Sequence, residues 1–233
     1  MKILTWNLNN LQSKKSWLYA INNIDADIYC FQESFHPLSY LEYPELNKLR
    51  GHFIWVPSVS GWGNTIISKK YKFRNIKLET KFKGRLIGAS FKIGTGERFR
   101  IFNLHVPIKG NYSRYNLEEM LDLITRFTRK GNAIVVGDFN FGEYFDKTQP
   151  QYKNKEFFDY LLKKNPIINT YKLFHNEEAQ TFRPPKSPKN PVHIDYIFVS
   201  EDLRDQVKSC EVLIPGDVSK LSDHNPVIAE IDI

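Results

Sequence analysis

The sequence of 233 residues contains little cysteine and no long apolar run, and each shortage excludes a class of protein. Cys30 and Cys210 lie far apart in apolar segments, without the spacing of a zinc site, so we interpret both as core residues. A disulfide between them is the less favoured alternative. No segment approaches the ~20 apolar residues of a membrane span, and MKILTWNLNN has too short an apolar stretch for a signal peptide. We therefore expect a cytoplasmic protein.

The sequence also lacks the motifs of nucleophilic catalysis and of nucleotide-binding loops. No serine or cysteine lies in a nucleophile elbow, and there is no glycine-rich phosphate loop. The side chains left for chemistry are carboxylates, amides and histidines. Oxygen ligands without cysteine favour a hard cation such as Mg²⁺ or Mn²⁺. Together with histidines, such a site suits the attack of water on a phosphoric ester.

Positive charge is present in excess, with a net charge of +7 and a pI of about 9.2. This surplus favours a polyanionic partner such as nucleic acid, a phosphorylated substrate or an anionic membrane surface, while a merely basic soluble protein is the simpler alternative. Hydrophobic residues make up 41% of the chain, enough for a sizeable core. The length and the absence of a linker predict a single domain over residues 1–233, and we expect a monomer.

The spacing of apolar residues predicts layered α/β packing. A strand over 1–8, a helix over 13–24 and a strand over 26–33 open the chain. Strand candidates without intervening helices follow at 53–56, 64–68, 74–80, 85–93 and 98–106, which predicts antiparallel pairing. Helices are predicted over 113–130, capped by Ser113 or Asn116 and ended by Gly131, and over 154–164. The remaining predicted strands lie at 133–137, 193–200, 207–214 and 226–233, and the proline-rich stretch 183–191 is a loop.

Polar side chains stand at the ends of these apolar strands. They are Asn7, Glu33, His105, Asp138, Asn140, Asp195, Asp223 and His224. Strand ends converge at the edge of a sheet, so these residues can form one pocket although they are far apart in sequence. Each has a simpler interpretation as a turn former, a helix-terminal acid or a core histidine. Asp195 lies inside an apolar strand and needs a partner, for which His224 is a candidate.

The order of these residues resembles the endonuclease/exonuclease/phosphatase superfamily, which includes deoxyribonucleases, abasic-site endonucleases, inositol polyphosphate phosphatases and sphingomyelinases. The matching segments are TWNL (5–8), FQES (31–34), NLHVP (103–107), GDFN (137–140), HIDYIFVS (193–200) and SDHNPV (222–227). The resemblance covers the whole chain. It implies a four-layer α/β/β/α sandwich of two mainly antiparallel sheets flanked by helices, and a phosphoric ester hydrolase that uses Mg²⁺ (or Mn²⁺).

The resemblance also implies which residues hold the metal and the attacking water. Glu33 corresponds to the principal metal ligand, with Asn7 beside it, and Asp223 completes the metal side. Asp138 corresponds to the acid that orients or activates the water, and Asn140 to the amide that holds the phosphate or that water.

Three histidines have counterparts of different kinds in the superfamily. His224 corresponds to the histidine that stabilises the transition state, and Asp195 to the carboxylate that orients it. His105 matches the second histidine of the deoxyribonuclease and phosphatase branches. Abasic-site endonucleases commonly carry tyrosine there, so His105 argues mildly against abasic-site repair. His193 stands where many relatives have arginine.

Candidate contacts to the substrate are less specific. The segment 69–85 carries eight basic residues against one acid, and on alternating strands it would form a basic face for a phosphate backbone or a lysine-protected sheet edge. Arg183, Lys186 and Lys189 add positive charge near the predicted site mouth. Trp62, between two glycines, has two alternative roles: it stacks on a base, or it covers the core.

We therefore predict a divalent-metal-dependent phosphodiester hydrolase, specifically a nuclease that acts on DNA or RNA. The alternative within enzymes is a phosphatase or phosphodiesterase of a small or lipid phosphoester. A third hypothesis is an inactive nucleic-acid-binding module. The complete set of polar residues argues against the inactive module, and the net charge of +7 favours nucleic acid over a small ester.

Overall fold

A computed structural model describes residues 1–40, 52–94, 96–108, 112–147, 150–186, 189–214, 216 and 218–233. The strands within these ranges are β1 (Lys2–Asn7), β2 (Ile28–Ser34), β3 (Phe53–Pro57), β4 (Gly63–Ser68), β5 (Arg74–Ile76), β6 (Leu86–Lys92), β7 (Arg98–His105), β8 (Ala133–Asp138), β9 (Ile167–Asn169), β10 (Asp195–Ser200), β11 (Val207–Val212) and β12 (Val227–Ile231). The α-helices are α1 (Ser13–Asn23), α2 (Tyr112–Thr128) and α3 (Asn154–Lys164).

The strands form two sheets of six strands each. The first has the order β11-β12-β1-β2-β4-β3, and the second β5-β6-β7-β8-β10-β9. Only β1–β2 and β7–β8 are parallel among the described pairs. Each parallel pair needs a crossover, which α1 and α2 supply. The mainly antiparallel arrangement is confirmed, but β4 and β5 fall in different sheets, so the predicted strand series passes from one sheet to the other.

Both faces of each sheet are covered, which produces the predicted four layers. The inner faces meet in one apolar core, to which the strands contribute Ile3, Cys30, Ile66, Ile101, Val136, Ile197 and Ala229. Helix α1 covers the outer face of the first sheet, where Trp17 is fully buried. Helices α2 and α3 cover the second sheet through Leu117 and Phe158. Burying each such side chain stabilises the fold by roughly 1.5–3 kcal/mol.

Both cysteines lie in this core. Cys30 and Cys210 are fully buried, and both thiols are free. The disulfide alternative is therefore wrong, and the interpretation as small core residues is confirmed.

Two of the element boundaries that differ from the predicted ones affect a predicted feature. Strand β5 is confined to Arg74–Ile76 at the edge of its sheet, because the chain after it turns inward and buries Phe82 against α2. The alternation of side chains along a strand, which would form a basic face over 69–85, therefore extends over only three residues. Helix α2 begins before Ser113, and the side chain of Asn116 donates to the carbonyl of Pro107 (3.3 Å), so neither caps the helix.

The predicted end of α2 agrees with the structure. Gly131 has φ +75°, a left-handed conformation that glycine adopts without strain after a helix. None of the helices in the described ranges is long and apolar enough to cross a bilayer.

His193 is buried at the start of β10, among charged neighbours. Its ring stacks on Tyr196 with centroids 4.6 Å apart, and its Nδ1 lies 3.3 Å from a carboxylate oxygen of Glu178. Glu178 is in turn paired with Lys172 at 2.6 Å. Burial, reinforced by the charges of Lys172 and His175, lowers the pKa of His193 to about 3. The ring is therefore neutral at neutral pH.

We expect His193 to make the fold sensitive to acid. In the unfolded chain its pKa is near 6.5, so it binds a proton that the folded ring, with a pKa of about 3, excludes. The contribution to stability is complete above pH ~6.5 and falls by up to ~1.4 kcal/mol per pH unit towards pH ~3. Urea unfolding of wild type and His193→Gln between pH 7 and pH 4 measures this. The stability difference between the two proteins should shrink as the pH falls, and a constant difference would contradict the assignment.

Candidate active site

Three of the predicted residues occupy matching positions on neighbouring strands of the second sheet. His105 ends β7 and lies opposite Asp138 at the end of β8, and Asp195 at the start of β10 lies opposite Asp138 from the other side. Gly137 has φ +137°, and a Cβ there would lie 1.9 Å from the carbonyl oxygen of Leu104. The glycine of GDFN thus allows β8 to approach β7 closely where Asp138 meets His105.

The first sheet supplies Asn7 and Glu33. Asn7 ends β1, while Glu33 lies at a β-bulge in β2 with a left-handed φ of +53°. Such a conformation costs a non-glycine residue roughly 1–3 kcal/mol and recurs at functional sites, and bulges re-aim side chains. The Oε1 of Glu33 lies 3.4 Å from Asn7 Nδ2 and 3.8 Å from Nε2 of His105 on the other sheet. The two sheets therefore meet at their polar ends.

Two asparagines that were not predicted as site residues hold the carboxylates of Glu33 and Asp223 in place. Asn10 donates to the Oε2 of Glu33 through its backbone N–H and its side-chain amide, both at 3.1 Å. The side chain of Asn9 donates to the Oδ1 of Asp223 at 3.2 Å. Their one signal in the sequence is the NLNN run directly after the first strand.

His224 and Asp195 form a buried pair, as the sequence predicted. The Nδ1 of His224 lies 2.9 and 3.2 Å from the two carboxylate oxygens of Asp195. Burial alone would lower the pKa of His224, but the carboxylates of Asp195, Asp138 and Asp223 outweigh it and raise the pKa to about 9. The imidazole is therefore charged at neutral pH, and its Nε2 lies 3.9 Å from Asp138 Oδ2.

Asp138 lies at the centre of the cluster. It accepts hydrogen bonds from the side chain of Asn7 (3.0 Å) and the backbone N–H of Asn140 (2.9 Å). Burial and the neighbouring Asp195 raise the pKa of Asp138 to about 7, against the opposing effect of His224. A carboxylate with such a pKa can take up a proton from water at neutral pH.

His105 is enclosed by an aromatic and cationic stack. Its Nε2 lies 3.8 Å from a carboxylate oxygen of Glu33 and equally far from one of Asp138. Burial, then the charges of Arg85 and His224, lowers the pKa of His105 well below its usual range. Trp62 stacks on this imidazole with centroids 5.5 Å apart, and the guanidinium of Arg85 lies 4.7 Å above the indole. Trp62 thus lines the site rather than covering the core.

One cavity of about 1170 Å³ contains these groups. Its walls include seven of the eight predicted residues: Asn7, Glu33, His105, Asp138, Asn140, Asp223 and His224. Asp195 is fully buried behind His224 and does not reach the cavity. Arg85 also lines this cavity. In the sequence, Arg85 was only the last of the basic residues in segment 69–85. No sequence signal distinguished it from its neighbours.

The basic residues of the proline-rich loop have another role than predicted. Arg183 donates to the side-chain oxygen of Asn225 and to the carbonyl of Ser222, and its backbone N–H donates to the backbone carbonyl of Asp223 (2.8 Å). Its guanidinium therefore braces the SDHNP loop instead of standing free at the site mouth. Lys186 and Lys189 are exposed and do not line the cavity.

The donor atoms present fit a divalent cation. Ligand atoms of Asp138, Asp195 and His224 lie within 4.8 Å of one another, but Asp195 and His224 are paired with each other, which leaves Asp138 as the oxygen donor of this group that faces the cavity. Glu33 adds a further carboxylate on the side of Asn7, whose amide lies between Glu33 and Asp138. Carboxylate and amide oxygens without a thiolate are the ligands that hard cations prefer.

Comparison with known proteins agrees with this arrangement. A family model described as "Endonuclease/Exonuclease/phosphatase family" matches residues 4–224. Among solved structures, a variant of the 3′ phosphatase NExo from Neisseria, bound to product DNA hairpin, has a TM-score of 0.74 at 22% identity and 100% coverage of both chains. An AP endonuclease from Archaeoglobus fulgidus has a TM-score of 0.71 at 22% identity, again with 100% coverage of both chains. Among curated proteins, no significant sequence match was found.

The α/β/β/α sandwich, with acids and histidines gathered where its two sheets meet, defines a hydrolase of phosphoric esters. The match over residues 4–224 shows that the chain belongs to the Endonuclease/Exonuclease/phosphatase family. The resemblance seen in the sequence is thereby confirmed. Enzymes of this family depend on a divalent metal ion, which fits the buried acidic group of this chain.

We expect His224 and Asp195 to be strongly coupled in stability. His224→Ala should lower the free energy of unfolding by about 3–5 kcal/mol, because it leaves Asp195 buried without a partner. Adding Asp195→Ala to that variant should cost much less than Asp195→Ala alone. Urea unfolding of the four proteins in EDTA gives the coupling, with the half-exposed His175→Ala as control. Additive losses would show that the two side chains do not act as a pair.

Proposed function

We propose that this protein is a divalent-metal-dependent nuclease that hydrolyses phosphodiester bonds of DNA by attack of water on phosphorus. The observation that carries the proposal is the convergence of Glu33, Asp138 and His224, from both sheets and the last loop, on one cavity. The similarity to the Neisseria 3′ phosphatase bound to product DNA hairpin and to the Archaeoglobus AP endonuclease supports DNA over RNA.

On the metal side, Glu33 and Asn7 would hold Mg²⁺, with Asp223 completing the site. When bound, the ion supplies positive charge for the phosphoryl oxygens. A set of carboxylate and amide oxygens suits Mn²⁺ as well as Mg²⁺. Asn10 acts as a positioning residue, since its two hydrogen bonds fix the carboxylate of Glu33.

Asp138 is the base that orients and deprotonates the attacking water. Its hydrogen bonds from Asn7 and Asn140 fix the carboxylate, and its pKa of about 7 matches a base that works near neutral pH. Asn140 is itself held by the carbonyl of Val106 at 2.9 Å, so its amide presents a fixed contact for the phosphate or the water.

His224 and His105 cover the other side of the phosphate. The imidazolium of His224 donates from Nε2 to charge that develops on phosphoryl oxygens, while Asp195 fixes the proton on Nδ1. His105 stays neutral and donates a hydrogen bond without changing its charge. Arg85, whose guanidinium lies on Trp62, adds a fixed positive charge facing the same cavity.

We further propose that the chain acts as a single domain and a monomer in the cytoplasm. The two free, buried cysteines fit a reducing compartment. Light scattering in solution addresses the monomer.

The first experiment is a cleavage panel with purified protein. We expect Mg²⁺-dependent hydrolysis of DNA, loss of activity in EDTA and weaker cleavage of RNA, an abasic duplex and a chromogenic phosphodiester. His224→Ala and Asp138→Asn should each lower kcat at least ~100-fold, the scale of positioned acid–base and electrostatic groups. His36→Ala, which changes a partly buried histidine outside the cavity, is the control. Cleavage that survives EDTA, or activity on the small ester alone, would overturn the proposal.

A second experiment tests Arg85. Arg85→Gln should lower kcat/KM for DNA by ~10- to 100-fold, because a charge-assisted hydrogen bond contributes about 1.5–3 kcal/mol. Arg126→Gln is the matched control, since Arg126 also lies 4.7 Å over an aromatic ring, that of Phe127, but outside the cavity. Equal effects of the two substitutions would assign Arg85 to packing against Trp62 alone.

A further inference from the structure

The cavity continues beyond the catalytic cluster into a second region with a different chemistry. We call it the aromatic wing, and its residues are Ile108, Arg114, Tyr115, Phe141, Phe145 and Phe157. They come from the chain after β7, the start of α2, the chain after β8 and the start of α3. The wing and the catalytic residues line the same cavity, so one substrate can contact both.

The wing is joined directly to the catalytic residues. Phe141 follows Asn140 in the chain and is 3% exposed. Its ring meets that of Phe157 edge to face, with centroids 5.7 Å apart. The guanidinium of Arg114 lies 4.1 Å over the ring of Phe157. Asn140, Phe141, Phe157 and Arg114 thus form a continuous contact path away from the reacting centre.

Packing of the fold accounts for only part of the wing, since Phe141 belongs to the core of the second sheet and Phe157 packs against that core with part of its ring. On α3, the neighbouring Phe158 makes the core contacts, with Tyr196 and Phe198 at 5.2 and 5.9 Å, whereas Phe157 is only partly buried. Tyr115 is 69% exposed and Ile108 is 72% exposed, although both line the cavity. Folding alone would not favour leaving these apolar groups open to water.

The chemistry of the wing fits a flat, polar-edged ring beside a phosphate. Aromatic faces and a guanidinium plane stack with nucleobases, and each such contact contributes about 1–3 kcal/mol. The cation of Arg114 suits the negative charge of the adjoining backbone. Ser113 and Asn154 also line the cavity and offer hydrogen bonds to a base edge. A lipid chain would use neither the guanidinium nor these polar groups.

We propose that the aromatic wing is a subsite for one nucleobase of the nucleotides that flank the scissile phosphate, stacked on Phe157 beside Arg114. This assignment rests on the proposed nuclease function. It adds that substrate binding depends on a base next to the bond that is cleaved. An abasic residue on that side is then a poor ligand.

Equilibrium binding of dinucleotides in EDTA tests the subsite without hydrolysis. The ligands are a thymidine dinucleotide and two analogues in which either the 5′ or the 3′ residue lacks its base. A dinucleotide has a single phosphodiester with one base on each side, so each analogue tests one side of the bond. We expect removal of one of the two bases to weaken binding to wild type about tenfold, which corresponds to ~1.4 kcal/mol.

Variants of one aromatic residue separate stacking from folding. Phe157→Ala and the apolar Phe157→Leu should bind the dinucleotide and its weaker base-free analogue within about twofold of each other. Phe174→Ala, which removes an exposed phenyl ring outside the cavity, should keep the tenfold difference. Thermal unfolding shows whether each variant is folded, and Phe157→Leu preserves most of the apolar volume if Phe157→Ala is not.

The outcomes distinguish the subsite from the nuclease activity. Equal binding of all three ligands to wild type, or binding of none, overturns the subsite even if DNA is hydrolysed in Mg²⁺. A base preference that survives in both Phe157 variants also overturns it. A base preference lost in these variants, in a protein that hydrolyses no DNA, supports the subsite and contradicts the proposed function.

Discussion

The active site depends on the register between three strands of one sheet. His105, Asp138 and Asp195 are cross-strand partners, so a slip of one residue between any two of these strands would turn one of them to the opposite face. The apolar residues of these three strands, buried on both faces of the sheet, specify that register. The geometry of the candidate site is thus set by the packing of the core, well away from the cavity.

The buried charges are stable only as a group. Asp138 and Asp195 are carboxylates in an apolar setting, and each would be unfavourable alone. The single positive charge of His224 attracts both carboxylates, and their combined field in turn keeps its imidazole charged. The left-handed backbone of Glu33 is a second local cost. Such concentration of strain and like charge at one edge is typical of functional sites, and the large double-layered core offsets it.

Much of this arrangement could be predicted from the sequence, because apolar periodicity reports directly on burial. The strand ends, the layers and the His224–Asp195 pair follow from that pattern and from the family resemblance. The division of β4 and β5 between sheets could not be predicted, since alternation does not say which sheet a strand joins. The roles of Arg85, Asn10 and Arg183 are contacts between distant segments, and each of these residues was one of several similar ones in its stretch.

Strand β12 lies between β11 and β1, and it follows β1 by about 220 residues. During translation, β1 therefore lacks its second neighbouring strand until nearly the whole chain has been synthesised. Until then its unpaired edge is open to other strands. The loop with His224 arrives just before β12. A nascent chain therefore lacks the His224–Asp195 pair, and with it one corner of the candidate site, until its synthesis is nearly complete.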